Sequence, residues 1–265
     1  INQNFKLSTR ERNLLKSPFL NSPNEYRNTL FTLEEITKFA NTPVSTLLEE
    51  RTRAAAIFLY LTAMRIGAFV TLPIKAVDLE KRLVRQFPSL GIHTKLGKSA
   101  TTRIIDIPEH SEFMEIVQAW DTKVRDTLPA NGMWYANISP ITGDLETSVN
   151  VGAARDDGFR DDLKMFCQKA GIAYKSPHKF RHGNIRYLRD NARTMRDFEA
   201  IAHNTMQTPF TMFNYGKQSG EESLEILDTM SGRNIDETAH LRQSAYSYPQ
   251  VELLAQLKSL LAQYE

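Results

Sequence analysis

The chain has a single cysteine in 265 residues, Cys167. That excludes an internal disulfide framework and fits a reducing compartment. Cys167 sits in an amphipathic run, Leu163-Lys-Met-Phe-Cys-Gln, and reads as a small buried hydrophobe. No stretch approaches 18 apolar residues, so no transmembrane helix is predicted, and no charged-apolar-small leader opens the chain. Glycine and proline are few, at 12 and 11, and 41% of residues are hydrophobic, which argues for a buried core and against disorder. The expectation is a soluble, cytoplasmic protein with one large domain and appendages, with no membrane partner. The first residue is Ile, which points to a fragment or a processed product.

The net charge of +2 hides an uneven distribution. Residues 51–110 carry ten Lys/Arg against four Asp/Glu, and residues 171–220 carry eight against three. Residues 111–170 carry six against ten, and 221–265 carry three against eight. Two basic blocks against an acidic remainder are the footprint of a polyanion held on one face.

Along the chain, residues 1–31 read as an N-terminal arm or linker, polar and broken by Pro18 and Pro23. Thr32-Leu-Glu-Glu35 has the form of a capping box that starts a helix. Arg51 to Thr71 is apolar-rich and predicts a long buried helix with Arg65 near its end. From Lys75 to Pro108 the period becomes strand-like, through Leu83–Phe87, Gly91–Lys95 and Thr101–Pro108. Leu96-Gly97-Lys98 then makes the turn that puts Lys95 and Lys98 at a hairpin tip. Helices are predicted from Glu109 and over 156–170, 179–191, 195–202, 221–230 and 251–264, with a loop-rich connection at 129–150. The class is α+β, mainly α-helical with a small antiparallel sheet.

Five short segments hold the residues that carry chemistry. They are Leu61-Thr-Ala-Met-Arg65-Ile66, Thr94-Lys95-Leu-Gly-Lys98, Ser176-Pro-His178-Lys-Phe-Arg181-His182, Ile201-Ala-His203 and Met212-Phe-Asn-Tyr215-Gly216. His178 and Arg181 are three apart, hence on one helix face. Ser176-Pro177 before them supplies a helix start, whose free N–H groups favour an anion. Arginines, histidines, a lysine and a phenol suit a single reaction. Together they can hold a phosphodiester, neutralise the charge that builds on it, and attack it.

In this order the segments resemble the catalytic domain of the tyrosine site-specific recombinases, the phage integrase family, from Thr32 to about Leu227. Ala63-Met-Arg65-Ile-Gly is similar to the family's Thr-Gly-x-Arg-Ile-Ser box, and Thr94–Ser99 to its β-hairpin lysine segment. His178-Lys-Phe-Arg181 resembles its His-x-x-Arg box, Ile201-Ala-His203-Asn its Leu-Gly-His-Ser step, and Asn214-Tyr215 its nucleophile. The resemblance implies a site-specific recombinase, or integrase, that cleaves and rejoins double-stranded DNA through a 3′-phosphotyrosyl intermediate. It further implies a bacterial, DNA-associated enzyme serving a mobile element, active as a tetramer on DNA, with neither metal nor cofactor.

Under that resemblance Tyr215 is the nucleophile, Arg65 and Arg181 bind the non-bridging oxygens, and His178 handles the phenolic proton. His203 donates a hydrogen bond to the phosphate and Lys95 protonates the departing 5′-oxygen. Lys95 fits the pattern better than Lys98, which stays open as the alternative. Residues 32–230 are then the catalytic domain, and 231–265 a C-terminal tether and helix. That helix carries a stripe of Val251, Leu253, Leu254, Leu257, Leu260 and Leu261, expected to dock on a neighbouring protomer or fold back on its own domain.

Three departures stand out. The family has an acidic residue three after the first arginine, where this chain has Ala68. Its tyrosine lies nine residues after the His step, where this chain has Met212, and Tyr215 lies twelve after. The separate helical domain that completes the family's DNA clamp has no counterpart in the short stretch before Thr32, which favours truncation. Two other readings follow: a type IB topoisomerase-like nicking and resealing enzyme, and a DNA-binding relative with weakened catalysis.

Overall fold

A computed structural model of the chain describes residues 30–146 and 155–208. Thr32 begins the first helix as its sequence dictates. The Glu35 N–H donates to Thr32 Oγ1 at 3.2 Å, and the Thr32 N–H donates back to the Glu35 carboxylate at 3.0 Å. This capping box starts α1 (Leu33–Asn41), which buries Ile36, Phe39 and Ala40. α2 (Leu47–Thr62) is buried without a break from Ala54 to Leu61. A helix apolar all round belongs at the centre of a domain.

The apolar run 51–71 is not one helix, contrary to the sequence expectation. α2 stops at Thr62 because Ala63 turns into the left-handed region, with φ 50° and ψ 26°. Arg65 follows in extended conformation as the N-cap of a four-residue helix, α3 (Ile66–Phe69). The guanidinium therefore leaves a turn, where the backbone changes direction, and not a helix face.

The sheet is three-stranded and antiparallel, in the order β1 (Val77–Asp78), β2 (Leu83–Gln86), β3 (Ala100–Arg103). β2 pairs with β3 from Leu83↔Arg103 to Gln86↔Ala100. The run Gly91–Lys95 is not a strand. Pro88, which has no N–H for a ladder, opens a 3-10 turn, and Gly91 follows at φ 86°. Ile92 then plugs into the core, and the His93 N–H donates to Thr71 Oγ1 at 2.9 Å in place of a strand partner. Lys95 and Lys98 thus lie in the long connection between β2 and β3, around a tight turn at Lys95–Gly97.

Four helices complete the described fold: α4 (Ser111–Thr127), α5 (Arg155–Lys169), α6 (His178–Asp190) and α7 (Met195–Asn204). α1, α4, α5 and α6 all pack on α2. Phe58 of α2 stacks on Trp134 at 4.3 Å, and Trp134 donates to the buried Asp121 at 2.9 Å. Cys167 is buried in α5, and burial pushes its thiol up to about 11, which keeps it inert. Gly183 sets the closeness of α6: a Cβ there would lie 2.0 Å from the Phe31 carbonyl oxygen and 2.8 Å from the Tyr60 ring. Only glycine permits that approach, and it brings the second turn of α6 against Phe31 and the last turn of α2.

Among the described residues no helix is long and apolar enough to cross a membrane. The predicted arm up to residue 29, Tyr215, and the predicted helices at 221–230 and 251–264 lie outside the described residues.

Candidate active site

Arg181 organises the site. It is 2% exposed on α6, and its two terminal nitrogens donate to the carbonyls of Ala63 and Thr205. One guanidinium therefore joins the turn two residues before Arg65 to the residue two after His203. Thr205 caps the end of α7, so His203 stands exposed on the last turn of that helix. Next to it, Asn204 brackets the peptide of Arg103 in β3. The Arg103 N–H donates to Asn204 Oδ1 at 2.5 Å, and Asn204 Nδ2 donates to the Arg103 carbonyl at 3.4 Å. The end of α7 is thus fixed to both the arginine turn and the sheet.

Arg65 is half-buried and forms no ion pair among the described residues, and neither do the exposed Lys95 and Lys98. By contrast, Arg82, Arg85 and Arg125 nearby in sequence are paired with Asp106, Asp78 and Asp121. The turn before α3 and the lysine connection thus each contribute a cation that no carboxylate of the described residues neutralises. Ala68, at the place of the expected acid, is buried in α3 and brings no charge.

His178 opens α6 with its side chain exposed. It is pushed down to about 4 by the protein packed around its ring and by the positive charge of Arg181, Arg65 and Lys179. Solvent reaches the outer edge of the residue, which softens the burial; the three cations all act in the same direction. The imidazole is therefore neutral at pH 7, the form that can accept a proton. These couplings also place Arg65 and Arg181 within electrostatic reach of His178.

His182, to which the motifs give no role, packs against His178. Four residues after His178 on the same helix, its ring meets the His178 ring edge-to-face, with centroids 4.8 Å apart at 74°. It too is pushed down to about 4, by burial and then by His178, Lys179 and Arg181. The i, i+4 spacing was the readable signal. Thr205 and Asn204 were missed for a different reason, because they act through a backbone carbonyl and a peptide bracket that no motif encodes. The structure brings together Arg65, His178 and Arg181, ties His203 to them through Thr205, and anchors the Lys95 connection to Thr71, six residues beyond Arg65. Tyr215 lies outside the described residues.

The phage integrase family matches residues 29–191, well over half of the chain. The chain belongs to the phage integrase family. Among solved structures, it is similar to the XerA recombinase, with 17% identity and a TM-score of 0.52 over 76% of this chain and 64% of that one. It is similar to the XerH site-specific recombinase bound to palindromic difH substrate, at 15% identity and TM-score 0.52 over 77% and 54% of the two chains. A third is the Tn1549 transposon integrase in complex with a circular intermediate DNA, at 15% identity and TM-score 0.50 over 79% and 68%. At such identities the likeness is one of fold: a mainly helical domain with a small antiparallel sheet. This family member spans less than two thirds of the XerA and XerH chains. No curated protein sequence matches it.

Proposed function

We propose that this phage integrase family member is a metal-independent DNA strand-transferase, a site-specific recombinase serving a mobile element, with residues 32–230 as its catalytic domain. The observation that carries the reading is the Arg181 bridge. It gathers the Arg65 turn, the neutral His178 and the His203 step at one place, and family membership supplies the reaction class. XerH is bound to its difH substrate and the Tn1549 integrase to a circular intermediate DNA, which supports duplex DNA as the partner here.

In this scheme Tyr215 Oη attacks the phosphorus of one diester, its proton passing to His178. The P–O5′ bond breaks as the P–O(Tyr) bond forms, and Lys95 protonates the departing 5′-oxygen. In the scheme Arg65 faces the non-bridging oxygens with its whole fork, and Arg181 with N–H groups other than those given to the Ala63 and Thr205 carbonyls. The charge on those oxygens is greatest in the pentavalent transition state. Guanidinium groups keep their charge throughout the physiological range and match the planar fork of phosphate oxygens, so the scheme assigns no step to a metal. Attack by a 5′-hydroxyl from a second duplex reverses the step and exchanges strands, which calls for four protomers on two sites.

The test uses a labelled pool of nicked duplexes of randomised sequence, which trap the adduct because the short 5′ fragment is lost. Wild-type protein should form a covalent adduct that survives denaturation, and Tyr215→Phe should bind yet form none. Adduct formed by Tyr215→Phe would overturn the nucleophile. Binding without any adduct would mark a relative with weakened catalysis, which Ala68 and the spacing of Tyr215 would then explain. Relaxation of supercoils by a monomer would favour the topoisomerase-like reading.

A further inference from the structure

The Lys95–Gly97 turn holds a feature that strand-transfer chemistry does not use. Leu96 is 83% exposed, although it is a large apolar side chain. It also adopts the left-handed conformation, φ 60° and ψ 26°, followed by Gly97 at φ 64°. There a Cβ crowds the following carbonyl, a cost that glycine avoids, and no packing of the exposed side chain offsets it here. Strain and exposure at one residue point to a contact made outside the folded chain.

The base of the turn is fixed, so its tip has a definite direction. Ile92 is 2% exposed in the core, and His93 is tied to Thr71 at 2.9 Å. On the other side Ala100 enters β3, which is paired to Gln86. Lys95 and Lys98 flank the leucine, both exposed and neither in an ion pair among the described residues. An apolar tip between two such cations matches a surface with anionic rails and apolar steps between them. Duplex DNA has that pattern, and an apolar protein surface does not.

We propose that Leu96 is a wedge that the lysine turn presses against the base step beside the cleaved phosphate, partly unstacking it. The inference rests on the strand-transfer reading, since Lys95 at the leaving oxygen places the next residue, one step of about 3.8 Å along the chain, in the adjoining groove. The lysines hold the phosphates on either side while the leucine enters between bases, the division of labour seen in proteins that kink DNA with apolar side chains. Loosening the stack frees the cut strand to leave.

The test uses the full chain and a duplex selected from a random pool by binding alone, with 2-aminopurine placed at each position in turn. Tyr215→Phe protein should raise the fluorescence several-fold at a step beside the cleaved phosphate. Leu96→Ala and Leu96→Gly should abolish that rise and slow adduct formation by roughly tenfold, the factor for exposing one leucine, with the salt dependence of binding unchanged. Leu96→Gly also relieves the left-handed strain, so it should fold at least as stably as wild type, and its defect cannot come from misfolding. Variants that keep both the fluorescence rise and the adduct rate overturn the wedge. So do variants that keep both but fail to bring two duplexes together, which would place Leu96 against a second copy of the chain. A Leu96-dependent rise with no adduct from wild type would leave the wedge standing and sink the strand-transfer reading.

Discussion

Arg181 donates a buried hydrogen bond to the Ala63 carbonyl, across 118 residues of sequence. The same guanidinium reaches Thr205, so the residue we propose for the phosphate also closes the fold around the site. Arg65 makes no such bond among the described residues. The two arginines should therefore respond differently to the same change.

Arg181→Lys keeps the charge but spans only one of the two carbonyls. Losing a hydrogen bond from a charged group costs about 1.5–3 kcal/mol, and stability should fall by about that much. Arg65→Lys should leave stability within about 0.5 kcal/mol of wild type. Both should lower adduct formation by orders of magnitude, since a lysine lacks the fork. Urea unfolding beside the adduct assay separates them; equal unfolding midpoints for the two variants would contradict the bridge.

Ala63→Gly should stabilise the protein. Ala63 lies at φ 50°, where a Cβ is crowded by the following carbonyl. Glycine removes that strain and gives back part of it in unfolded-state entropy, for a net gain of up to about 1 kcal/mol. The readout is the unfolding midpoint, and a loss of stability would show that the left-handed turn is not held in solution.

Much of the fold is written locally. Thr32 and Glu35 announce α1, the unbroken apolar stretch from Ala54 to Leu61 announces a central helix, and the pattern of Phe113, Val117 and Trp120 announces α4. The failures have tertiary causes. Nothing at Ala63 announces a helix stop; a carbonyl taken by Arg181 from the far end of the sequence accompanies it. Gly91–Lys95 alternates like a strand, but Ile92 and His93 are claimed by the core and by Thr71. Within the site, residue types and order were legible. What a sequence cannot show is that Arg181 works through two backbone carbonyls, or that His182 meets His178 edge-on.

Asn184→Leu should also stabilise. Asn184 is 1% exposed, one turn along α6 from Arg181, and neither atom of its side-chain amide has a hydrogen-bond partner among the described residues. A buried polar group left unsatisfied costs about 1–3 kcal/mol, and an apolar side chain of similar shape removes that cost. Asn184→Ala serves as a control that removes the amide without adding volume. Destabilisation by both variants in urea would show that the amide is satisfied in solution.

Acid should unfold the protein through its histidine pair. His178 and His182 are each held near 4 in the fold, against about 6.5 in an unfolded chain. Between those values the unfolded chain binds more protons, so stability falls with falling pH. The contribution of the pair is complete above about pH 6.5 and is lost as the pH drops toward about 4. Burial of the rings acts first, then Lys179 and Arg181 of α6 on both histidines, with Arg65 of the turn before α3 acting on His178 and His178 itself on His182. Phosphate bound beside them adds the opposite sign, so DNA should raise the His178 midpoint toward its ordinary value. Carbon-bound imidazole signals followed by NMR should place both midpoints well below about 6.5 in free protein and move His178 upward in the complex. His182→Phe keeps an aromatic ring against His178 and removes one of the two acid-labile groups. Its stability should therefore decline less steeply between about pH 6.5 and 4 than that of wild type. A His178 midpoint at about 6.5 in the free protein would mean that neither the packing around its ring nor the three cations act on it.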